Sequence, residues 1–451
     1  MAAPTTLPAR VTALMDRART DLTAAVAFAS VQEDPARAEA SRASADWVAD
    51  RLHELHLQPQ TITTSDGSHS VIGHRPGPPG SPTVLLYSHH DVQPAGEQTQ
   101  WHSDPFTLTE RDGRWYGRGA ADCKGNLVAH LTALRAIGFE SPDTEIGCGV
   151  RVVIEGSEES GGQGLDDLTR ERPELFTADM ILIGDTGNVA VGRPTLTTSL
   201  RGVANVKITV STLASGVHSG QFGGAAPDAL AALIAALATL RDAAGNTTVD
   251  GLDTDQTWAG APYDPAVFAS DATVLDGVQV IGSGTPADMV WARPAVTVIA
   301  LDAPRSDSAA AAVTPQASAV LNLRVPPGMD PTNARDALAA HLRRAVPWGA
   351  HVDIQPEATG APFFADTTGP GYRSLTAALH QAYGTEVVHS GQGGSIPLCT
   401  VLQELNPQAE IALLGVEEPR CRIHAPDESV DPAELERTAL AEALFLSDFG
   451  R

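Results

Sequence analysis

Residues 83–92 read Thr-Val-Leu-Leu-Tyr-Ser-His-His-Asp-Val, a short apolar run, Val84–Tyr87, that gives way at once to polar, turn-compatible side chains. The same pattern recurs three times. Val150–Ile154 runs into Glu155-Gly156-Ser157-Glu158-Glu159, Met180–Ile183 into Gly184-Asp185, and Ile411–Leu414 is followed ten residues on by His424. Apolar runs of this length bounded by turn residues read as buried strands. Helix-like stretches such as Asn126–Ile137 lie between them. Strands alternating with helices imply an α/β layer whose central, largely parallel sheet is flanked by helices.

Working outward, Val11, Leu14, Met15, Leu22, Ala25 and Val26 recur at helical spacing, as do Ala45, Trp47, Val48, Leu52 and Leu55, so two amphipathic helices open the chain. The middle has another texture. Gly202–Thr212, Ala295–Leu301, Ser318–Val325 and His351–Ile354 carry β-branched or alternating residues, with helical segments at Asp228–Arg241 and Asn333–Ala345. That order predicts a small α+β domain over 197–360, inserted into a discontinuous α/β domain of 1–196 and 361–451. Residues 245–292 are rich in Gly, Pro and Asp and read as long loops.

Composition narrows the function classes. In 451 residues, 42% hydrophobic, 30 Lys+Arg face 55 Asp+Glu for a net charge of −25, and no basic block is present. Nucleic acid and anionic membranes are poor partners for such a surface. The longest apolar stretch, Ala229 to Leu240, falls short of the roughly 18–20 residues that span a bilayer. The opening MAAPTTLPARVTALMDRA lacks the charged and apolar regions of a secretory signal. Cys123, Cys148, Cys399 and Cys421 lack zinc-knuckle spacing and suggest reduced thiols. A cytoplasmic location is the expectation.

In an open α/β sheet, ligands gather beyond the carboxyl ends of the strands. Here every strand leads to a metal-compatible side chain, and Asp122, in Gly117-Arg-Gly-Ala-Ala-Asp122-Cys-Lys124, adds a fifth immediately before a helix. Singly, each has a bland explanation: His-x-Asp as a hydrogen-bonded turn, Glu158-Glu159 as a solvated loop, Asp122 as a helix cap. Together they bring several anions to one edge, which calls for cations among them. Imidazoles with carboxylates suit Zn²⁺, Mn²⁺ or Co²⁺, and are too oxygen-rich for a structural zinc site. Two ions sharing one carboxylate would make a hydrolytic centre, with one of the adjacent Glu158 and Glu159 a ligand and the other a general base.

At these residues the sequence resembles the M20 family of metallopeptidases, which includes carnosinases, related cytosolic dipeptidases, succinyl-diaminopimelate desuccinylase and acetylornithine deacetylase. The matching segments occur in the family's order: LLYSHHDVQP (85–94), WYGRGAADCKGN (115–126), VVIEGSEESGG (152–162), GDTG (184–187), VHSGQFGG (217–224), GGSIP (393–397) and IHAPDE (423–428). The resemblance implies two divalent ions per subunit, Zn²⁺ foremost, with Mn²⁺ or Co²⁺ as alternatives. Their ligands would be His89, Asp122 as the bridge, Glu159, Asp185 and His424. Glu158 would be the base, and Asp91 would orient His89.

It further implies that 197–360 is a lid carrying a homodimer contact. His218 would reach the tetrahedral intermediate across that dimer, Arg324 would pair with a substrate carboxylate, and Ser395 would contact substrate. The expected activity is hydrolysis of the peptide bond of a dipeptide, by a water between the ions that Glu158 deprotonates. The alternative is an N-acyl amino acid deacylase of the acetylornithine deacetylase and succinyl-diaminopimelate desuccinylase kind. Two segments depart from the dipeptidase pattern: Ala309–Pro315 replaces a Thr-Val-Ile-Pro segment, and Gly391-Gln392 replaces Arg-Glu, removing a charge near the substrate.

Overall fold

A strand buried on both faces must be apolar on both, and the four runs satisfy this. In the computed structural model Thr83–His89, Gly149–Glu155, Met180–Gly184 and Glu410–Leu414 lie parallel and mostly buried. Residues 6–32, 34–394 and 396–450 are described. They fall into two compact units. The first comprises the chain up to Thr198, Ala365–Ser390 and the residues from Pro397 on; the second comprises Ser199–Phe364 with Gly391–Ile396.

Around the four parallel strands, the sheet of the first unit turns antiparallel. Gln60–Thr63 pairs with His69–Arg75, His69–Arg75 with Gly149–Glu155, and Thr195–Leu200 with Glu410–Leu414, all antiparallel. The sheet is therefore mixed, with only its middle parallel. Connection length explains part of this: residues 64–68 are too few for the dozen or more that a parallel crossover needs. The parallel neighbours, by contrast, are linked through helices, Lys124–Ala136 before Gly149–Glu155 and Gln163–Glu171 before Met180–Gly184.

Lys124–Ala136 is buried along its whole length, packed by Leu7–Ala27, Pro432–Asp448 and Thr83–His89. It starts two residues after Asp122, so its fixed position fixes that carboxylate. The ammonium of Lys124 donates to the carbonyls of Ala25, at 2.9 Å, and Phe28, at 2.7 Å, a cation at the carboxyl end of Leu7–Ala27.

In the second unit the sheet is antiparallel, in the order Ala295–Asp302, Gln316–Val325, Gly202–Ser211, His351–Gly360. Buried and half-buried residues alternate strictly along Gly202–Ser211, the period-2 signature of a sheet covered on one face. Helices Ala229–Ala238 and Pro331–Ala345 cover that face, closing a core of Val206, Ile208, Leu233, Leu321, Leu323 and Leu338 among others. Within 245–292, expected to be loops, a short helix forms at Pro265–Asp271. Asp264 caps it by accepting from the amides of Ala266 and Val267, and Pro265 occupies its first turn.

Candidate metal centre

Each side chain at the centre arrives from the end of an element. His89 closes Thr83–His89 and pairs in register with Glu155; Asp185 follows Met180–Gly184; Glu158 and Glu159 form a single 3₁₀ turn just past Gly149–Glu155. His424 sits in a loop that bends through positive φ at Arg422 and at His424 itself. All belong to the first unit.

Their contacts fall into two sets that share one residue. His89 Nε2 lies 3.1 Å from Asp122 Oδ1 and 3.2 Å from Asp185 Oδ1. His424 Nε2 lies 3.0 Å from Asp122 Oδ2 and 3.1 Å from Glu159 Oε2. The two oxygens of Asp122 thus face different imidazoles. On the far side of its ring, His89 Nδ1 meets the Asp91 carbonyl at 3.1 Å and its carboxylate at 3.3 Å. That arrangement makes Nδ1 the donor, so in the neutral ring Nε2 turns a lone pair toward two carboxylates. Only a cation belongs between such groups.

Without one, the imidazoles carry the positive charge. Burial pulls His89 toward neutrality, but Cys123, Asp185 and Asp122 around it raise its pKa well above the usual value. Hydrogen bonds to Asp122 and Glu159 push His424 up to about 10. Burial raises Asp185 to about 6, while Asp122, though buried, is held below the carboxylate range by both imidazoles. Glu159 Oε1 is buried without a partner. An orphaned carboxylate oxygen beside two converging N/O sets fits two divalent ions with Asp122 between them.

Glu158 stands apart from both sets. Its amide is anchored on Asp91 Oδ1 at 3.2 Å, and the amide of Glu159 on Asp91 Oδ2 at 3.0 Å. Among the described residues its carboxyl makes no hydrogen bond or ion pair. Burial, reinforced by Asp185 and Asp122, raises its pKa well above the usual range. Asp91 therefore does two jobs, orienting His89 and setting the Glu158-Glu159 turn.

Several contributors escaped the sequence reading. Glu428, buried, accepts from the amides of Ala121 at 3.0 Å and Asp122 at 3.1 Å through one oxygen, and from Gly119 N at 3.0 Å and Arg118 Nη1 at 2.6 Å through the other. It shapes the turn that presents Asp122. Gln93 donates to Glu159 Oε2 at 2.8 Å. Glu417 lies with Asp122 and Asp185, and Cys123 with His89 and Asp185, their ligand atoms within 4.8 Å of one another. Glu428 and Gln93 stand inside quoted motif segments; nothing local distinguishes Glu417 from a surface acid.

The remaining expected residues lie elsewhere. His218 is exposed in the second unit, on a two-residue strand whose partner is Ala312–Val313, inside the segment that departs from the dipeptidase pattern. Its Nδ1 accepts from Gly220 N at 3.0 Å, so in the neutral ring the proton sits on Nε2, free to donate. Arg324 is half-buried on Gln316–Val325 in the same unit. Ser395 lies outside the described residues.

Comparison with known proteins places the chain among peptidases. A family model described as peptidase family M20/M25/M40 matches residues 85–448. The chain is 47% identical over 435 residues to a cysteinylglycine-S-conjugate dipeptidase of Corynebacterium striatum, covering 96% of this chain and 95% of that one. Its fold is similar to that of the di-peptidase Dug1p from Saccharomyces cerevisiae, with a TM-score of 0.81, 20% identity and 98% of each chain covered. It is also similar to that of human carnosine dipeptidase 1, with a TM-score of 0.80, 23% identity and 98% of each chain covered.

Proposed function

The chain belongs to peptidase family M20/M25/M40, and on that premise we propose that it is a metal-dependent dipeptidase in which Glu158 is the general base. The observation that carries this is the pair of ligand sets sharing Asp122, with an unengaged carboxyl beside them. His89 with Asp185, and His424 with Glu159, would hold two divalent ions on either side of Asp122. When bound, these ions, Zn²⁺ foremost and Mn²⁺ or Co²⁺ as alternatives, supply Lewis acidity that makes water a nucleophile near neutral pH.

The chain's own residues do the rest. Glu158 takes the proton of the attacking water and returns it to the leaving amine, a role open to it because it is committed to no other partner. Asp91 keeps Glu158 in reach and His89 in the tautomer that leaves Nε2 free for an ion. His218 offers Nε2–H to the developing oxyanion, and Arg324 offers its planar fork to the substrate's α-carboxylate. Substrates of the cysteinylglycine type are supported by the 47% identity to a protein of that activity. The relatives named are dipeptidases, which favours this reading over N-acyl amino acid deacylation.

We assign the second unit a homodimer contact. Its edge strand Ala295–Asp302 exposes Val298, Ile299 and Leu301, apolar residues that a second copy would cover. Among the described residues no helix is long and apolar enough to cross a membrane. Four buried free thiols suit a reducing cytoplasm.

The test is a chelator-stripped sample to which Zn²⁺, Mn²⁺ or Co²⁺ is returned separately, offered cysteinylglycine, its S-conjugates, other dipeptides and N-acetyl amino acids. Metal-restored cleavage of dipeptides is expected. Cleavage confined to N-acetyl amino acids would overturn the assignment.

A further inference from the structure

Among the described residues four arginines are buried, and three are answered by a carboxylate. Arg114 meets Glu418 at 2.5 Å, Arg118 meets Glu428 at 2.6 Å, and Arg135 meets Asp21 at 2.5 Å. Arg201, in the second unit and only 8% exposed, meets none among the described residues. Its Nη1 reaches the carbonyls of Met289 and Arg293 at 3.5 Å, the outer limit of a hydrogen bond. Nε is buried without a partner, and Nη2 has no hydrogen bond among the described residues. A buried guanidinium without a counter-ion is costly, and chains keep such groups paired.

What lies beside Arg201 is a second cation. Arg324 stands opposite Val203 in the ladder between Gln316–Val325 and Gly202–Ser211. Arg201 precedes Val203 by two residues, the spacing that returns side chains to one face. That face is the one the helices leave uncovered, where Asn322 donates to Asn205 at 2.8 Å. Arg324 has no hydrogen bond or ion pair among the described residues. Burial, with Arg324 close by, pulls the Arg201 pKa down to about 10. In a chain with 55 acidic and 30 basic side chains, two adjacent arginines lack an acid among the described residues. Its Nη2 lies against Gly393, where a Cβ would come within 2.8 Å of that Arg201 nitrogen.

We propose that Arg201 and Arg324 together form a carboxylate seat, with Arg201 as the inner guanidinium that makes the enzyme select a dipeptide with a free α-carboxylate over its amide. This rests on the reading of Arg324 given above. Arg324 alone, only half-buried, would give a partly solvent-screened contact; adding a desolvated fork gives the carboxylate two sets of directed donors.

The experiment pairs kinetics with a binding measurement on the full chain. For the metal-restored enzyme, kcat/KM is measured on a dipeptide and on its C-terminal amide. Arg201→Gln is expected to lose roughly ten- to a hundredfold on the free acid, mainly through KM, and only a fewfold on the amide. Arg201→Lys, which keeps charge but not the fork, should fall between, and it decides the matter if Arg201→Gln does not fold. Independently of turnover, acetate should raise the melting temperature of the wild type more than chloride at equal ionic strength, and this excess should vanish in Arg201→Lys and Arg324→Gln. Equal losses on acid and amide, or no advantage of acetate over chloride, would overturn the seat. A wild type that cleaves no dipeptide would instead overturn the dipeptidase reading, while the acetate comparison still decides the seat.

Discussion

Replacing Glu428 by Gln isolates the part of the site that no ligand assignment reveals. The carboxylate accepts four donors, two per oxygen. An amide has one oxygen. If that oxygen stays with Ala121 N and Asp122 N, the amide nitrogen faces Gly119 N and Arg118 Nη1, leaving a backbone donor unsatisfied and a buried guanidinium without its counter-ion. A lost hydrogen bond to a charged group costs about 1.5–3 kcal/mol and an unsatisfied buried donor about 1–3 kcal/mol. The sum agrees with the roughly 3–5 kcal/mol for breaking a buried ion pair from one side. Arg118 keeps the Pro94 carbonyl, at 3.4 Å, and the face of Trp101, 5.4 Å from the ring centroid, neither of which replaces an anion.

The consequence for function is specific. Asp122 faces both imidazoles, so loosening its turn should weaken both metal sites together, whereas Asp185→Asn should weaken the His89 site and Glu159→Gln the His424 site. Zn²⁺ affinities are read by competition with a chromophoric chelator, and stability by urea unfolding of the metal-free chain. Glu428→Gln is expected to lower both affinities, by about tenfold or more if even 1.4 kcal/mol of the destabilisation reaches the bound state. A variant that loses one affinity and keeps the other, or that keeps both while losing stability, would refute the reasoning.

Further outcomes follow from the same contacts. Glu158→Gln should cut kcat by about 10²–10⁴-fold while metal content stays at the wild-type level, since the carboxyl holds no ligand; measured metal loss alongside lost turnover would place Glu158 among the ligands instead. Metal loading at pH 7 should release protons, because His424, at about 10, and His89 are both protonated in the metal-free protein. Calorimetry in buffers of different ionisation enthalpy should therefore give up to about two protons per chain, and a value of zero would contradict the charge assignment. His130, deep in the first unit, bridges Glu442 at 2.9 Å and the Tyr87 carbonyl at 3.0 Å; burial lowers its pKa, but Glu442 more than offsets this and leaves it raised. That stabilisation is full below the unfolded histidine value of about 6.5 and is lost as pH rises through the folded one. Wild type should thus exceed Glu442→Gln in stability by more at pH 6 than at pH 9, and a gap independent of pH would remove the imidazolium.

What was legible in the sequence was whatever depends on near neighbours. Val84–Tyr87 and its three counterparts are apolar without alternation, which only a strand covered on both faces tolerates, and a ligand directly after such a strand is placed by the strand itself. His89, Asp185 and the Glu158-Glu159 turn were therefore readable, and the motif order supplied the rest of the candidate set. The helix at Pro265–Asp271 was legible too, in Asp264-Pro265, but sat in a stretch whose composition pointed to loops.

Tertiary structure decided what depends on partners far apart in the chain. Glu428 meets Asp122 across 306 residues and His424 meets it across 302, so neither the cradle nor the division of Asp122 between two imidazoles has a local signal. The outer strands became antiparallel because of which neighbours they found, a matter of connection and pairing that apolar runs do not encode. Arg201 shows the same limit. Its sequence neighbours are ordinary, and only the packed fold reveals a guanidinium taken out of water beside another cation with no carboxylate to meet it, because desolvation and pairing are properties of three-dimensional surroundings.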